Sequence, residues 1–258
     1  VAQEHLGRAF LRGDERLLRL LVDLELVREA GWIVQDAAST LFYRAGDLDG
    51  AERLFRRSIE IKGQAKPVWH WDVAISFGWL GEIYRARHQF SEALAVIDQA
   101  LEHFALDQCT NGHWGWSRLN RAQVFIGFDR LLAAEQDLRS FVDVARERGH
   151  VQFAINALPI WSALACARGD GRRAARLYGA TVALWHEVGD DFHERRRAGF
   201  GPADWEAFAA TEPRARQLLS PAGWDRAFGQ GAALSTEAAL AYAMGEVDPW
   251  ASEGDGQT

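Results

Sequence analysis

The stretch Phe77-x-x-Leu80-Gly81-x-x-Tyr84, followed by Phe90 and then Ala93-x-x-x-Ile97-x-x-Ala100, decides how this chain folds. Residues three and four apart lie on one face of a helix, so the stretch reads as two helices in succession. Gly81, Ala93 and Ala100 are small, and small residues at facing positions let two antiparallel helices approach closely. Ile97 supplies the bulk that fills the groove alongside. The same frame recurs along the chain. Phe42 leads to Ala51, Phe55 and Ser58; Tyr84 to Ala93, Ile97 and Ala100; Phe125 to Ala134, Leu138 and Phe141; Ala165 to Ala174, Tyr178 and Thr181. The step from the first marker to the alanine is nine residues each time, and successive alanines lie 42, 41 and 40 residues apart. Three residues before the first marker stands a small residue: Ser39, Gly81, Ala122 and Ser162.

An aromatic residue, Leu-Gly and Tyr on a helix A, then Ala, a bulky residue and Ala on a helix B, is similar to the tetratricopeptide signature, with Phe77 where Trp is usual. One hairpin cannot bury its own apolar face, so hairpins of this kind stack. The spacing exceeds the usual 34 residues, and longer helices or connections such as 104–113 must absorb the excess. Gly46-Asp47 and Gly169-Asp170 supply a helix C-cap followed by an N-cap at the hairpin turns. These features predict an all-α, right-handed superhelical array of helical hairpins over residues 1–198. Residues 1–12 read as the second helix of a hairpin whose first helix is missing. Leu17, Leu18, Leu20, Leu21, Leu24 and Val27 form a further apolar stripe. Gly199, Gly201 and Pro202 break the pattern, and short helices around 204–210, 221–228 and 235–244 are expected to form a C-terminal helical cap over 199–245, with Ser235 as an N-cap. Residues 246–258 read as a solvated, flexible tail.

Composition narrows the function. Hydrophobic residues make up 48% and charged residues 25% of 258 residues, ordinary for a folded domain. The formal net charge is -7, which argues against direct nucleic-acid contact, because neutralising phosphates needs a basic surface. Lys62 and Lys66 are the only lysines and neither follows a glycine, so the Gly-Lys of a phosphate-binding P-loop is missing. Cys109 and Cys166 make no disulfide framework, no zinc spacing and no nucleophile motif, and a cytoplasmic setting is expected. There is no signal-peptide pattern at Val1 and no apolar run long enough for a membrane span.

A more specific likeness lies near the C-terminus. Ala174-Ala175-Arg176-Leu177-Tyr178-Gly179-Ala180 leads to a helix ending Glu187-Val188-Gly189. Then come Trp224-x-x-Ala227-Phe228-x-x-Gly231-x-x-Leu234-Ser235-x-Glu237-x-Ala239-x-Ala241-Tyr242-Ala243. With the repeats, this resembles the carboxy-terminal part of large bacterial ATP-dependent transcriptional regulators of the LuxR-like and antibiotic-pathway-activator type. The resemblance implies a non-catalytic sensing or interaction arm. Its partners would be a small-molecule or peptide effector, the ATPase domain of the parent regulator, or both.

Extending the frame to helix A places Asp36, Thr40, Tyr43 and Arg44, then Gly78, Glu82 and Arg85, then Trp116, Asn120 and Gln123, then Asn156, Ala163 and Cys166 along the concave side. Tyr43, Arg44, Glu82, Arg85, Trp116, Asn120 and Gln123 are the candidate ligand-binding residues, since polar and aromatic groups there suit hydrogen bonding and stacking. The competing reading is a hydrated groove with internal pairs such as Glu82 with Arg85. Trp69-His70-Trp71-Asp72 and His113-Trp114-Gly115-Trp116 either rim that groove or wedge hairpins apart. His186-Glu187, Asp190-Asp191 and His193-Glu194 lack the one-turn spacing of His-Glu-x-x-His and read as capping and solvated charge. Arg195-Arg196-Arg197 with Arg172, Arg173 and Arg176 form either a solvated face or an acidic-partner site. No cofactor, metal or catalytic residue is expected; Glu82 with His88 or His113 is the only loose acid–base pairing.

Overall fold

The structure is a computed structural model that describes residues 15–187 and 202–251. Among these the regular elements are all helices. They are α1 (Glu15–Asp23), α2 (Val27–Thr40), α3 (Leu48–Gly63), α4 (His70–Ala86), α5 (Phe90–Leu106), α6 (Gly112–Gly127), α7 (Leu131–Glu147), α8 (Val151–Ala154), α9 (Leu158–Ala167), α10 (Gly171–Glu187), α11 (Pro202–Gln217), α12 (Pro221–Ala232) and α13 (Thr236–Met244). A π turn, Leu41–Ala45, extends α2, and a 3-10 turn, Ile155–Ala157, joins α8 to α9. Two compact units divide the chain, Val1–Val124 and Phe125–Thr258, and α6 runs through the division.

The repeated frame is the buried frame. Ala51, Ala93, Ala134 and Ala174 have no exposed surface, and neither have Phe55, Ile97 and Leu138. Phe42, Tyr84, Phe125, Ala165 and Tyr178 are buried as well. In the first unit α2 lies on α3 and α4 on α5, closing a core of Phe42, Phe55, Leu80, Ile83, Tyr84 and Ile97. A Cβ added to Gly81 would fall 2.5 Å from Ile97 Cγ1, which is why that position must be minimal. In the second unit the hydroxyl of Ser162 donates to the carbonyl of Ala174 at 2.8 Å, so the small pair is bonded as well as close.

The longer spacing resides in the helices. α4, α5, α7 and α10 each run 17 residues, while two or three residues turn each hairpin. Gly46 and Gly169 adopt the left-handed conformation expected of them, with φ 66° and 78°. Asp47 then accepts from Gly50 N at 2.8 Å and Asp170 from Arg173 N at 2.9 Å. His88, Gln108 and Asp129 take the same left-handed conformation without being glycine.

Several expectations are corrected. The small residue facing α3 is Ala38, fully buried, rather than half-buried Ser39. The π turn uses one residue more per turn than an α-helix and displaces the frame by one. The leucine stripe of the N-terminal stretch is broken at Leu24-Glu25-Leu26, where Glu25 has φ 60°, and Leu20, Leu24 and Leu26 are exposed. The helix expected at 204–210 continues to Gln217 through Pro213. Proline removes only its own bond to the carbonyl four residues back, and the rest of the ladder persists. The helix foreseen at 1–12, Asp190-Asp191, His193-Glu194, Arg195-Arg196-Arg197 and the tail beyond residue 251 lie outside the described residues.

Candidate functional site

Within the first unit, successive A helices are joined side by side by polar groups. The seam between α4 and α6 is made by residues singled out above. Arg85 Nη1 donates to both carboxylate oxygens of Glu82 at 3.2 Å and to Asn120 Oδ1 at 2.6 Å, while Nη2 donates to Gln123 Oε1 at 2.7 Å. The amide of Asn120 donates back to Glu82. Glu82, Arg85 and Asn120 are all buried, at 6%, 3% and 2% exposure. A buried ion pair is tolerable when further hydrogen bonds satisfy the remaining donors and acceptors, and Asn120 and Gln123 do that here. Glu82, Arg85, Asn120 and Gln123 therefore converge as the frame foresaw, and each engages the others.

The remaining candidates join other groups. Tyr43 sits in the π turn, 39% exposed, with its ring edge-on to Trp79 at 5.5 Å and to Phe42 at 4.9 Å. Arg44 is exposed in the same turn, and Trp116 is half-buried on α6. The possible acid–base partners of Glu82 do not form a catalytic pair. His88 occupies the left-handed turn after α4 and meets Phe90 edge-on at 6.0 Å, while Glu82 is engaged by Arg85 and Asn120. Burial pushes the Cys166 thiol up, away from the thiolate a nucleophile needs.

The seam between α2 and α4 was not foreseen. Lys62 of α3 is 1% exposed, and its ammonium donates to Gln35 Oε1 at 2.6 Å, to the carbonyl of Asp72 at 3.0 Å and to Ser76 Oγ at 3.1 Å. Ser76 donates in turn to Gln35 Oε1 at 2.8 Å, and Ser58 bridges from Ser76, at 3.1 Å, to the carbonyl of Gly31 at 2.8 Å. Above them Arg28 pairs with buried Asp72 and lies over Trp69 at 4.6 Å and Trp71 at 5.5 Å. Lys62 Nζ lies 4.2 Å over Trp32, which itself meets Trp71 at 6.2 Å. The aromatic residues before α4 thus embrace cations of their own chain. Burial lowers the Lys62 ammonium to about 7, against the opposing pull of Asp72 and Asp36. A signal for it was available. Four residues beyond the last marker on each helix B stand Lys62, Phe104, Ala145 and Trp185, and all four are buried.

In the second unit the arginines of α10 are internal rather than a free basic face. Arg173 Nη2 donates to the carbonyls of Tyr242 at 2.8 Å and Ala243 at 3.0 Å, closing the end of α13. Arg176 donates to Gln230 Oε1 at 3.0 Å and lies 4.1 Å over Trp250. Cations near the last carbonyls of a helix are favoured by its dipole. Ser235 caps the start of α13 as expected, accepting from Ala238 N. The residues that carry the C-terminal resemblance are packing residues. Ala174, Trp224, Ala227, Tyr242 and Ala243 are buried, and Tyr178 stacks on Phe208 at 4.6 Å. A Cβ on Gly179 would collide with the carbonyl oxygen of Phe228, and one on Gly231 with that of Arg176, so α10 and α12 touch backbone to backbone.

Among the described residues no group of three metal-binding side chains comes together, and no helix is long and apolar enough to cross a membrane. No protein-family model matches the chain, and no curated protein matches it. Solved structures do. BtubC (BKLC) from P. vanneervenii is 16% identical, with a TM-score of 0.64 over 96% of this chain and 94% of that one. Two crystal structures of a Podosopora anserina putative kinesin light chain with nearly identical TPR-like repeats, one of them a single-substitution variant, are 16% and 15% identical. Their TM-scores are 0.53 and 0.52 over 81% of this chain and 93% and 94% of those. The chain is an all-α helical repeat array of the tetratricopeptide-like kind.

Proposed function

We propose that this chain is a non-catalytic recognition module that docks a protein segment along its A helices, as the interaction arm of a bacterial ATP-dependent transcriptional regulator. The observation that carries the docking reading is the mutual engagement of Glu82, Arg85, Asn120 and Gln123. The polar groups expected to hold a small effector are committed to joining α4 to α6. A metabolite there would have to break a buried ion pair, whereas a protein partner needs only the side chains that remain at the surface. Tyr43 and Arg44 are such side chains: an amphipathic ring and a guanidinium in one exposed turn, the residue types that anchor interfaces. The regulator setting is supported by the resemblance around residues 174–180 and 224–243, and the natural partner is then the ATPase domain of the same polypeptide.

The test is titration of that ATPase domain, made as a separate polypeptide, into this chain by calorimetry. A saturable association weakened at least tenfold by Tyr43→Ala with Arg44→Glu is the expected result. A metabolite that raises the melting temperature of wild type but not of Asn120→Ala, with no association of the ATPase domain, would replace it with effector sensing.

A further inference from the structure

His70 opens α4 and His103 lies in the last turn of α5, so the end of one helix meets the start of its partner. Their Nδ1 atoms are 3.0 Å apart and their rings 5.1 Å apart. Phe77 stacks against His103 at 5.6 Å, with 27° between the planes, and fixes that ring. Both histidines are half-buried, so solvent reaches the pair.

Two facing imidazole nitrogens need little rearrangement to share a metal ion. With bonds of about 2.1 Å from each nitrogen, a separation of 3.0 Å gives an angle at the metal of about 90°. That is the angle between neighbouring ligands in square-planar and octahedral coordination, the geometries of Cu2+ and Ni2+, and it is narrower than the tetrahedral angle zinc prefers. The charge around the pair is suitable. Asp107, one turn beyond His103, accepts the backbone N–H of Trp71, the neighbour of His70, at 2.9 Å, which brings a carboxylate to the same corner. The proton now shared between the two Nδ1 atoms leaves as the metal enters, since ligating imidazole must be neutral.

We propose that His70 and His103 form a bidentate site for a tetragonal transition-metal ion, Ni2+ or Cu2+, with water completing its coordination and Asp107 supplying charge alongside. The ion would tie the start of α4 to the end of α5 within one hairpin. Because the ligands are already opposed, occupation would stiffen this hairpin without reshaping it.

The experiment is calorimetric titration of NiCl2 into tag-free protein, with melting temperatures read in parallel. Wild type is expected to show one saturable site and a higher melting temperature with Ni2+. His70→Gln and His103→Gln are each expected to lose both responses while keeping the helical circular dichroism of wild type. The proposal is overturned if wild type shows no saturable binding, or if the double variant binds Ni2+ as wild type does. His150→Gln, outside the pair, should bind like wild type, and loss of binding there would likewise overturn the assignment.

Discussion

Between α4 and α6 the chain is held by a buried carboxylate, a guanidinium and two amides, whereas between α10 and α12 it is held by glycines that bring one backbone onto another. The first arrangement is directional: each group must find its partner at a set distance and angle. The second is steric, and depends on nothing projecting where the helices meet. Both occur in one kind of repeat, so the hairpin frame specifies that helices pair without specifying how neighbouring pairs are joined. The two kinds of joint should fail differently when altered.

The largest effect is expected at the polar joint. Arg85→Ala leaves the carboxylate of Glu82 buried without its cation, at a cost of about 3–5 kcal/mol, measured by urea unfolding. Glu82→Leu combined with Arg85→Met should recover most of that loss, because it removes both charges and fills the volume. No recovery would show that Asn120 and Gln123 need the pair to be satisfied. At the steric joint, Gly231→Ala should cost about 3 kcal/mol by forcing α10 from α12, even though alanine favours helix over glycine. A neutral outcome would mean that the helices separate without loss.

A smaller effect, confined to the first unit, should appear as a pH dependence. The Lys62 ammonium is lowered to about 7 in the fold, below its ordinary value of 10.5. From pH 7 to 10.5 the unfolded chain therefore holds more protons than the folded one, and stability rises with pH through that window, by on the order of 1 kcal/mol per unit. Below pH 7 both states are protonated and the burial penalty is felt in full. Unfolding midpoints at pH 7 and pH 9 should differ in this sense for wild type and not for Lys62→Met. The smallest effects belong to the turns. Gln108→Gly in the first unit and Asp129→Gly in the second relieve a left-handed conformation, with φ 49° and 57°, and should each stabilise by about 0.5–1 kcal/mol. Unequal responses in thermal melts would locate a difference between the units in their turns as well as their joints.

The contrast also explains what could be read in advance. The hairpins were legible because an alanine, a bulky residue and a second small residue at fixed spacing have few other uses. The convergence of Glu82, Arg85, Asn120 and Gln123 was legible for the same reason, since regular helices carry the frame from one repeat to the next. Tyr43 and Arg44 did not follow, because the π turn at Leu41–Ala45 rotates everything within it away from a 3.6-residue period. Lys62 escaped notice because a lysine at the end of a helix looks solvated, and only its alignment with Phe104, Ala145 and Trp185 marks it as internal. Pro213 read as a helix end because its local penalty is real, and α11 continues past it all the same, with Thr211 donating to the carbonyl of Ala207.

The polar seams have one more consequence. Gln35 and Ser76 complement each other across α2 and α4, and Arg85 complements Asn120 and Gln123 across α4 and α6, but neither set would satisfy the other. Each hairpin therefore carries an address for its neighbour. Transposing two of them, or deleting one, would set a buried guanidinium against a serine, and the serial order of the repeats is written into the chemistry of their edges.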